Sequence, residues 1–182
     1  MHYEAKALPL KDGREAILRV PTPADAPEML RYLIGIGGET EFVLAYPEER
    51  QNLTVEQEAA FIRRMTESDD VLFLICEVEG KLAGCCQADF NHRMKTAHRA
   101  SVGVGLWKQY WGLGIGTAMF GELIAEARRR GVMLLELEFI EGNSRARALY
   151  EKMGFRVTGM HPDAIRLRDG SLRSEYLMQL RL

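Results

Sequence analysis

Residues 108–120 read KQYWGLGIGTAMF and place Gly112, Gly114 and Gly116 within five positions, directly before a pattern typical of a helix. Each glycine costs about 1 kcal/mol relative to alanine in regular structure, so their clustering indicates a specific need. A helix N-terminus presents free N–H donors and a partial positive charge, and glycines in front of it let the main chain surround a phosphate. The stretch therefore predicts a binding loop for a pyrophosphate.

Two common nucleotide-binding loops fit this stretch poorly. A Rossmann fingerprint requires G-x-G-x-x-G and an acidic residue about 20 positions later, whereas the spacing here is G-x-G-x-G and lies deep in the chain. A Walker A loop requires a lysine after its last glycine, and none follows Gly116. A module for ADP or NAD therefore stays a weaker alternative, as does a role for the glycines in tight helix packing alone.

The N-terminal third of the chain predicts one strand followed by two helices. The strand covers residues 15–20, and the first helix opens at Thr22 or Asp25 and should fade at the glycines of residues 35–38. The second helix begins after Thr54, which opens a capping box.

The middle of the chain predicts a hairpin and a third neighbouring strand. Residues 71–78 and 82–90 are apolar runs on either side of a short polar turn that contains Gly80. Another strand covers residues 99–106, where two glycines indicate a β-bulge or the close approach of a ligand.

The C-terminal part predicts helices alternating with strands. A helix over residues 115–130 precedes a strand at 133–139, and Asn143 caps a second helix that ends at Gly154. Strands at 155–160 and 174–182 close the chain. This order predicts a mixed α/β fold, with a mixed sheet and helices on both sides, in a single domain spanning residues 1–182.

Composition excludes several classes of function. The chain has 182 residues and a formal net charge of -2, which argues against nucleic-acid or membrane partners. It begins without a signal-peptide pattern and contains no apolar run of membrane-spanning length. Its three cysteines read as buried thiols rather than as metal ligands, so we expect a cytoplasmic protein with no metal.

Two segments resemble the GNAT N-acetyltransferase superfamily, in particular its ribosomal-protein alanine acetyltransferase branch. QYWGLG, at residues 109–114, is similar to that family's Q/R-x-x-G-x-G/A coenzyme A signature, and NSRARALYEKMGF, at 143–155, resembles its N-x-x-A-x-x-L-Y-x-x-x-G-F segment. The resemblance implies the GNAT fold, with a mostly antiparallel sheet of about seven strands between helices. It also implies acetyl-CoA as co-substrate and direct acetyl transfer to a primary amine of a small molecule or peptide.

The same resemblance implies which residues contact the cofactor. The end of the strand before the glycine loop should lend main-chain groups to the pantetheine arm, the loop N–H groups should bind the pyrophosphate, and one asparagine should hydrogen-bond the pantetheine. These residues are Val104, Gly105 and Leu106; Gly112, Leu113, Gly114, Ile115, Gly116 and Thr117; and Asn143. Many relatives carry arginine where this chain has Trp111, so the main-chain contacts to the phosphates should survive, whereas a side-chain contact from this position is left open.

Glu138 and Tyr150 are the candidate catalytic residues. Glu138 lies where relatives in the alanine acetyltransferase branch carry a catalytic glutamate, and Glu136 shares its face of the strand by alternation. Either carboxylate, or a chain of water molecules, could deprotonate the amine. Tyr150 should lie near the thioester sulfur and donate a hydrogen bond to the departing thiolate, while main-chain N–H groups near Val104 stabilise the oxyanion.

The identity of the acceptor stays open at this level. The resemblance implies that residues 34–51 and a loop at 161–173 hold it, and four glutamates in the first segment suit a cationic amine. A coenzyme A-binding regulator without turnover is the alternative function. A homodimer is common among relatives.

Overall fold

The computed structural model describes residues 3–182 and contains eight strands. They are β1 (Lys6–Pro9), β2 (Glu15–Arg19), β3 (Val71–Val78), β4 (Lys81–Phe90), β5 (Arg99–Leu106), β6 (Leu134–Ile140), β7 (Arg156–Arg166) and β8 (Leu172–Arg181). They form one sheet in the order β1-β2-β3-β4-β5-β6-β8-β7, in which only the β5–β6 pair is parallel. The expected mixed, mostly antiparallel sheet is confirmed, with one strand more than expected.

Helices cover both faces of this sheet, as predicted. They are α1 (Ala26–Glu39), α2 (Pro47–Arg50), α3 (Val55–Glu67), α4 (Ile115–Arg129) and α5 (Ser144–Lys152). One apolar cluster joins α1 and α3 to β3 and β4, and a larger cluster joins α4 and α5 to the opposite face. No helix within residues 3–182 is long and apolar enough to cross a membrane.

Helix α1 continues through the glycines that were expected to end it. An added Cβ at Gly35 would lie 1.9 Å from the Trp107 ring, and one at Gly37 would lie 2.6 Å from the carbonyl oxygen of Ala45. The ring of Trp107 packs edge-on against Tyr32 of the same helix, with centroids 5.8 Å apart. These glycines therefore allow close packing of α1 rather than terminating it.

Strand β5 contains no bulge in its pairing with β4, so the first of the two explanations predicted for its glycines is wrong. The register runs without a shift from Gly84↔Leu106 to Phe90↔Ala100. The need for glycine at position 105 has a different physical cause, because a Cβ there would lie 2.5 Å from the Tyr32 hydroxyl of α1. The close approach of a helix, not an irregular strand, excludes a side chain at this position.

Strands β5 and β6 pair over only three residues each. The parallel register covers Arg99↔Leu134, Ala100↔Leu135 and Ser101↔Glu136, and then the two strands separate. After Ser101, β5 stays paired with its antiparallel neighbour β4, and after Glu136, β6 stays paired with its antiparallel neighbour β8. A gap therefore opens inside the sheet.

Strand β7 extends six residues beyond its predicted end at Met160. Residues 161–166 were expected to belong to a loop, but they pair with β8 after two register shifts. The second shift lies between His161 and Ile165 and takes up Pro162 and Asp163, whose φ of 52° departs from a regular strand. These irregularities interrupt the alternation of side chains along the strand, so the sequence pattern does not predict this part of β7.

A matched pair of glycine substitutions tests the packing of α1. Gly35→Ala should lower the free energy of unfolding by about 1–3 kcal/mol, because its methyl group collides with the packed Trp107 ring. Gly121→Ala, on an exposed turn of α4 with nothing within 4 Å of its Cβ, should raise it by about 0.5–1 kcal/mol. Urea unfolding of both variants measures the difference, and equal effects would contradict the proposed contact.

Candidate active site

The glycines of the 112–117 loop have two different roles. Gly112 and Gly114 have φ angles of 81° and 99°, which other residues adopt only with strain. A Cβ at Gly116 would instead lie 2.9 Å from Leu149, so this glycine lets α4 pack closely against α5. The loop thus combines a left-handed backbone with the packing role that the sequence left as an alternative.

Helix α4 begins at this loop with several N–H groups directed away from the helix interior. Gly114 is the N-cap, and the first helical hydrogen bond runs from the Ala118 N–H to the Gly114 carbonyl (3.1 Å). The N–H groups of Ile115, Gly116 and Thr117 precede that bond and line up at the positive end of the helix. Such an end binds an anion without any side chain.

A cleft of ≈ 680 Å³ lies in front of the loop and runs between β5 and α5. It brings together the predicted site residues from distant parts of the chain. They are Val104, Gly105, Leu106, Gly112, Gly114, Ile115, Gly116, Thr117, Glu138, Asn143 and Tyr150. Leu113 is the exception, because its side chain packs against the core and its carbonyl accepts the Lys11 N–H (3.3 Å).

The edge of β5 that faces this cleft presents main-chain polar groups. The Trp107 N–H donates to Ala83 of β4 (3.0 Å), so alternation directs the N–H and C=O groups of Val104 and Leu106 to the opposite edge. There the indole Nε1 of Trp111 donates to the Leu106 carbonyl (2.9 Å). The two N–H groups and the Val104 carbonyl remain for a ligand, because β6 has already diverged.

The two candidate glutamates differ in their surroundings. Glu136 is bound by Arg99 (2.6 Å) and by the side-chain amide of Gln179 (2.6 Å). Glu138 is exposed, lines the cleft, and has neither a hydrogen bond nor an ion pair to any residue in the described range 3–182. Glu138 is therefore the carboxylate that is free to accept a proton at the gap.

Tyr150 is held inside an aromatic cluster. Its ring centroid lies 5.5 Å from that of Phe120 and 6.1 Å from that of Phe139, and the residue is only 9% exposed. Burial raises the pKa of the Tyr150 hydroxyl to about 12. Full proton transfer to a thiolate of pKa about 8.5 would then be uphill by roughly 5 kcal/mol, so this environment suits a neutral hydrogen-bond donor rather than an acid.

Asn143 caps α5, as the sequence predicts, and it also lines the cleft. Its side-chain oxygen accepts the Ala146 N–H (3.2 Å) and so caps α5. That bond fixes the direction of the side-chain amide, whose NH₂ group is left to donate into the cleft.

A second cavity, of ≈ 670 Å³, lies on the face of the sheet that α4 and α5 do not cover. We call it the acceptor-side groove, and its floor is formed by side chains of β4, β5, β6 and β8. The groove and the cleft share five lining residues, which are Phe42, Val104, Glu138, Phe139 and Tyr150. The two cavities therefore meet at the gap between β5 and β6.

Sequence reasoning missed three cationic side chains of the cleft: Lys11, Arg145 and Lys152. Arg145 and Lys152 are seven residues apart and lie on the same face of α5 as Leu149, so helical periodicity could have found them. The Lys152 ammonium contacts the Thr117 hydroxyl (3.3 Å). Lys11 follows the short strand β1, which had no sequence signal.

The two segments expected to hold an acceptor contact each other. Arg168 pairs with Glu48 (2.5 Å) and lies over the Tyr46 ring (4.2 Å). Two other glutamates of residues 34–51 are also engaged, since Glu39 accepts the Lys108 N–H (2.9 Å) and Glu49 accepts the Tyr46 N–H (2.7 Å). Three of the four carboxylates that suggested a cationic acceptor are thus used within the protein.

The sheet thus separates between two parallel strands, with a helix end suited to anions on one side and a groove on the other, which is an arrangement compatible with a group-transfer enzyme. The chain belongs to the acetyltransferase (GNAT) family, whose model matches residues 39–155. This match confirms the family and the N-acetyltransferase class that the sequence predicts.

Solved structures and one curated relative agree with this membership. The fold is similar to the acetyltransferase of GNAT family from Streptococcus pneumoniae, with a TM-score of 0.84 and 27% identity over 92% of this chain and 99% of that one. It is also similar to ribosomal-protein-alanine N-acetyltransferase from Brucella melitensis, with a TM-score of 0.77 and 25% identity over 91% and 99%.

A shorter sequence match points in the same direction. It is to the [ribosomal protein bS18]-alanine N-acetyltransferase of Haemophilus influenzae, at 44% identity over 52 residues, or 29% of this chain. The match spans 35%, about a third, of the length of that relative.

The environment of Tyr150 predicts its titration. Burial favours the neutral phenol, so the hydroxyl should stay protonated until the pH approaches its raised pKa of about 12. An ultraviolet difference titration of wild type against Tyr150→Phe measures this ionisation directly. A tyrosinate signal from this residue near pH 10, the ordinary value, would contradict its burial.

Proposed function

We propose that this protein transfers the acetyl group of acetyl-CoA directly to a primary amine. The observation that supports this most strongly is the meeting of the cleft and the acceptor-side groove at the β5–β6 gap. A cofactor in one cavity and an amine in the other would come into contact there, beside Glu138 and Tyr150. Membership of the GNAT acetyltransferase family supports acetyl-CoA as the co-substrate.

In this proposal the cofactor lies along the cleft with its diphosphate at the glycine loop. The N–H groups of residues 112–117 bind the diphosphate, with Leu113 contributing only its main chain. The pantetheine arm runs beside Gly105 and hydrogen-bonds to the free main-chain groups of Val104 and Leu106 on the edge of β5. Asn143 donates to one of the pantetheine amides. The acetyl group then reaches the gap in the sheet.

The reaction requires a neutral amine, an oxyanion site and a stabilised thiolate. Glu138 accepts the ammonium proton and passes it to water, and the amine nitrogen then attacks the thioester carbonyl. A β5 N–H group at the gap stabilises the oxyanion, and the carbon–sulfur bond then breaks. Tyr150 donates a hydrogen bond to the sulfur as it becomes a thiolate, while the second amine proton leaves to solvent through Glu138.

We further propose an N-terminal α-amine of a peptide as the acceptor. An α-amine of pKa about 8 costs only about 1 kcal/mol to deprotonate at neutral pH, against about 4–5 kcal/mol for a lysine. Two similar proteins are named as alanine N-acetyltransferases of ribosomal protein. Besides the Glu136–Arg99 ion pair, the acceptor-side groove contains the carboxylates of Asp89, Glu138 and Glu175, which suit a cationic amino group.

A coupled assay of coenzyme A release tests the reaction and the base. With acetyl-CoA and a panel of small amines and peptides, wild type should release thiol only when an acceptor is present. Glu138→Gln should lower kcat/KM at neutral pH by about 10²-fold, and the deficit should shrink as the pH rises and the amine deprotonates by itself.

Glu136→Gln is the matched comparison for this substitution. It keeps the shape of a side chain that Arg99 and Gln179 already hold, so kcat/KM should stay within about threefold of wild type. A reversed pattern, with Glu136→Gln inactive and Glu138→Gln active, would overturn the assignment. Thiol release that is independent of any acceptor would overturn the transferase proposal.

Tyr150→Phe separates a chemical role from a packing role. Phenylalanine preserves the aromatic contacts with Phe120 and Phe139 but removes the hydroxyl donor. We expect kcat to fall by about 10- to 100-fold, while the Kd for acetyl-CoA, measured by calorimetry, changes by less than about twofold. A loss of affinity with unchanged kcat would show that the hydroxyl acts on binding instead.

A further inference from the structure

Arg145 is an exposed cation that is held at the mouth of the cleft. It lies in the first turn of α5, and its guanidinium carbon is 4.9 Å from the centroid of the Trp111 ring. It lines the cleft together with the glycine loop, and it forms no ion pair with any carboxylate of the residues that the structure describes. Arg147, two positions later, instead pairs with Glu151 (2.8 Å) and lies outside the cleft lining.

Trp111 is itself fixed in position. Its indole Nε1 donates to the Leu106 carbonyl at the end of β5 (2.9 Å), so the ring joins the strand to the glycine loop. A guanidinium that stacks on an aromatic face keeps the N–H groups in its own plane free for other acceptors. The ring therefore restricts where Arg145 lies without using its hydrogen bonds.

The glycine loop lacks a free cation of its own. Within residues 108–117 the only basic side chain is that of Lys108, and its ammonium is bonded to the main-chain oxygen of Glu39. The helix end supplies about half a positive charge, whereas a diphosphate carries about two negative ones. A guanidinium binds phosphate oxygens in pairs and adds geometry as well as charge.

We infer that Arg145, held over Trp111, binds the diphosphate of coenzyme A and so positions the cofactor in the cleft. The inference rests on the proposed function, because it takes coenzyme A as the ligand. It assigns the cation for the 112–117 loop to α5, a different element from the loop itself. The ligand recognised in this way is one that carries a diphosphate, whatever acyl group it bears.

Calorimetric titration with three ligands tests the assignment. Arg145→Ala should raise the Kd for coenzyme A about tenfold, and Arg147→Ala on the same helix should leave it unchanged. The same tenfold change should hold for dephospho-coenzyme A, which lacks the 3′-phosphate but keeps the diphosphate. Pantetheine, which has neither, should bind wild type and Arg145→Ala alike.

A double-mutant cycle tests the contribution of Trp111. Trp111→Leu should weaken coenzyme A binding, and adding Arg145→Ala to it should cost less than Arg145→Ala costs in wild type, because the two residues act together. Additive losses would overturn the positioning role of the ring. Should Trp111→Leu fail to fold, the exposed Arg145 variants still decide whether the cation binds the diphosphate.

The remaining outcomes separate this inference from the proposed function. An Arg145→Ala variant that binds coenzyme A as wild type does would overturn the inference and leave the transferase proposal standing. A deficit that disappears with dephospho-coenzyme A would place Arg145 at the 3′-phosphate and overturn the diphosphate assignment. Wild type that binds no coenzyme A would overturn both.

Discussion

The separation of β5 from β6 is the constraint on which the rest of the structure depends. Each strand pairs over seven residues with an antiparallel neighbour, β5 with β4 and β6 with β8, but the two pair with each other over only three. Since each follows its own neighbour as the sheet twists, they diverge after Ser101 and Glu136. Of the main-chain groups of Val104 and Leu106 that a continuous sheet would satisfy, all but the Leu106 carbonyl are left for a ligand, which makes this point the candidate site.

An aromatic cluster borders the gap and sets the environment of Tyr150. Tyr150 of α5 packs against Phe120 of α4 and Phe139 of β6, and Phe139 stacks on Tyr176 of β8 with centroids 5.2 Å apart. The packing that holds Tyr150 against β6 therefore also buries its hydroxyl and raises its pKa. The packing of the Tyr150 ring and the raised pKa of its hydroxyl therefore have the same cause, which is burial.

Local signals in the sequence were sufficient for the loop and the caps, but not for the relations between distant strands. Gly112 and Gly114 are needed for their own backbone angles, and Asn143 caps the helix that follows it, so both could be predicted from neighbouring residues. The four-residue strand β1 and the irregular end of β7 carry no alternation that distinguishes them. The engagement of Glu136 by Arg99, 37 positions earlier, and the stacking of Arg145 on Trp111 depend on tertiary placement that no local pattern encodes.

In the proposed reaction the two sides of the gap have opposite electrostatic requirements, and the fold supplies each from a different layer. An ammonium must lose its proton to a group that can pass it to water, and Glu138 is exposed on the face of β6 that borders the acceptor-side groove. A departing thiolate needs a donor that stays neutral, and Tyr150 comes from the buried α5 layer behind the sheet. Strand alternation puts the carboxylate on the open face, and helix packing puts the phenol on the closed one. A continuous sheet would keep these two groups apart, so in the proposed reaction it is the gap that lets Glu138 act on the amine and Tyr150 on the sulfur of one reacting pair.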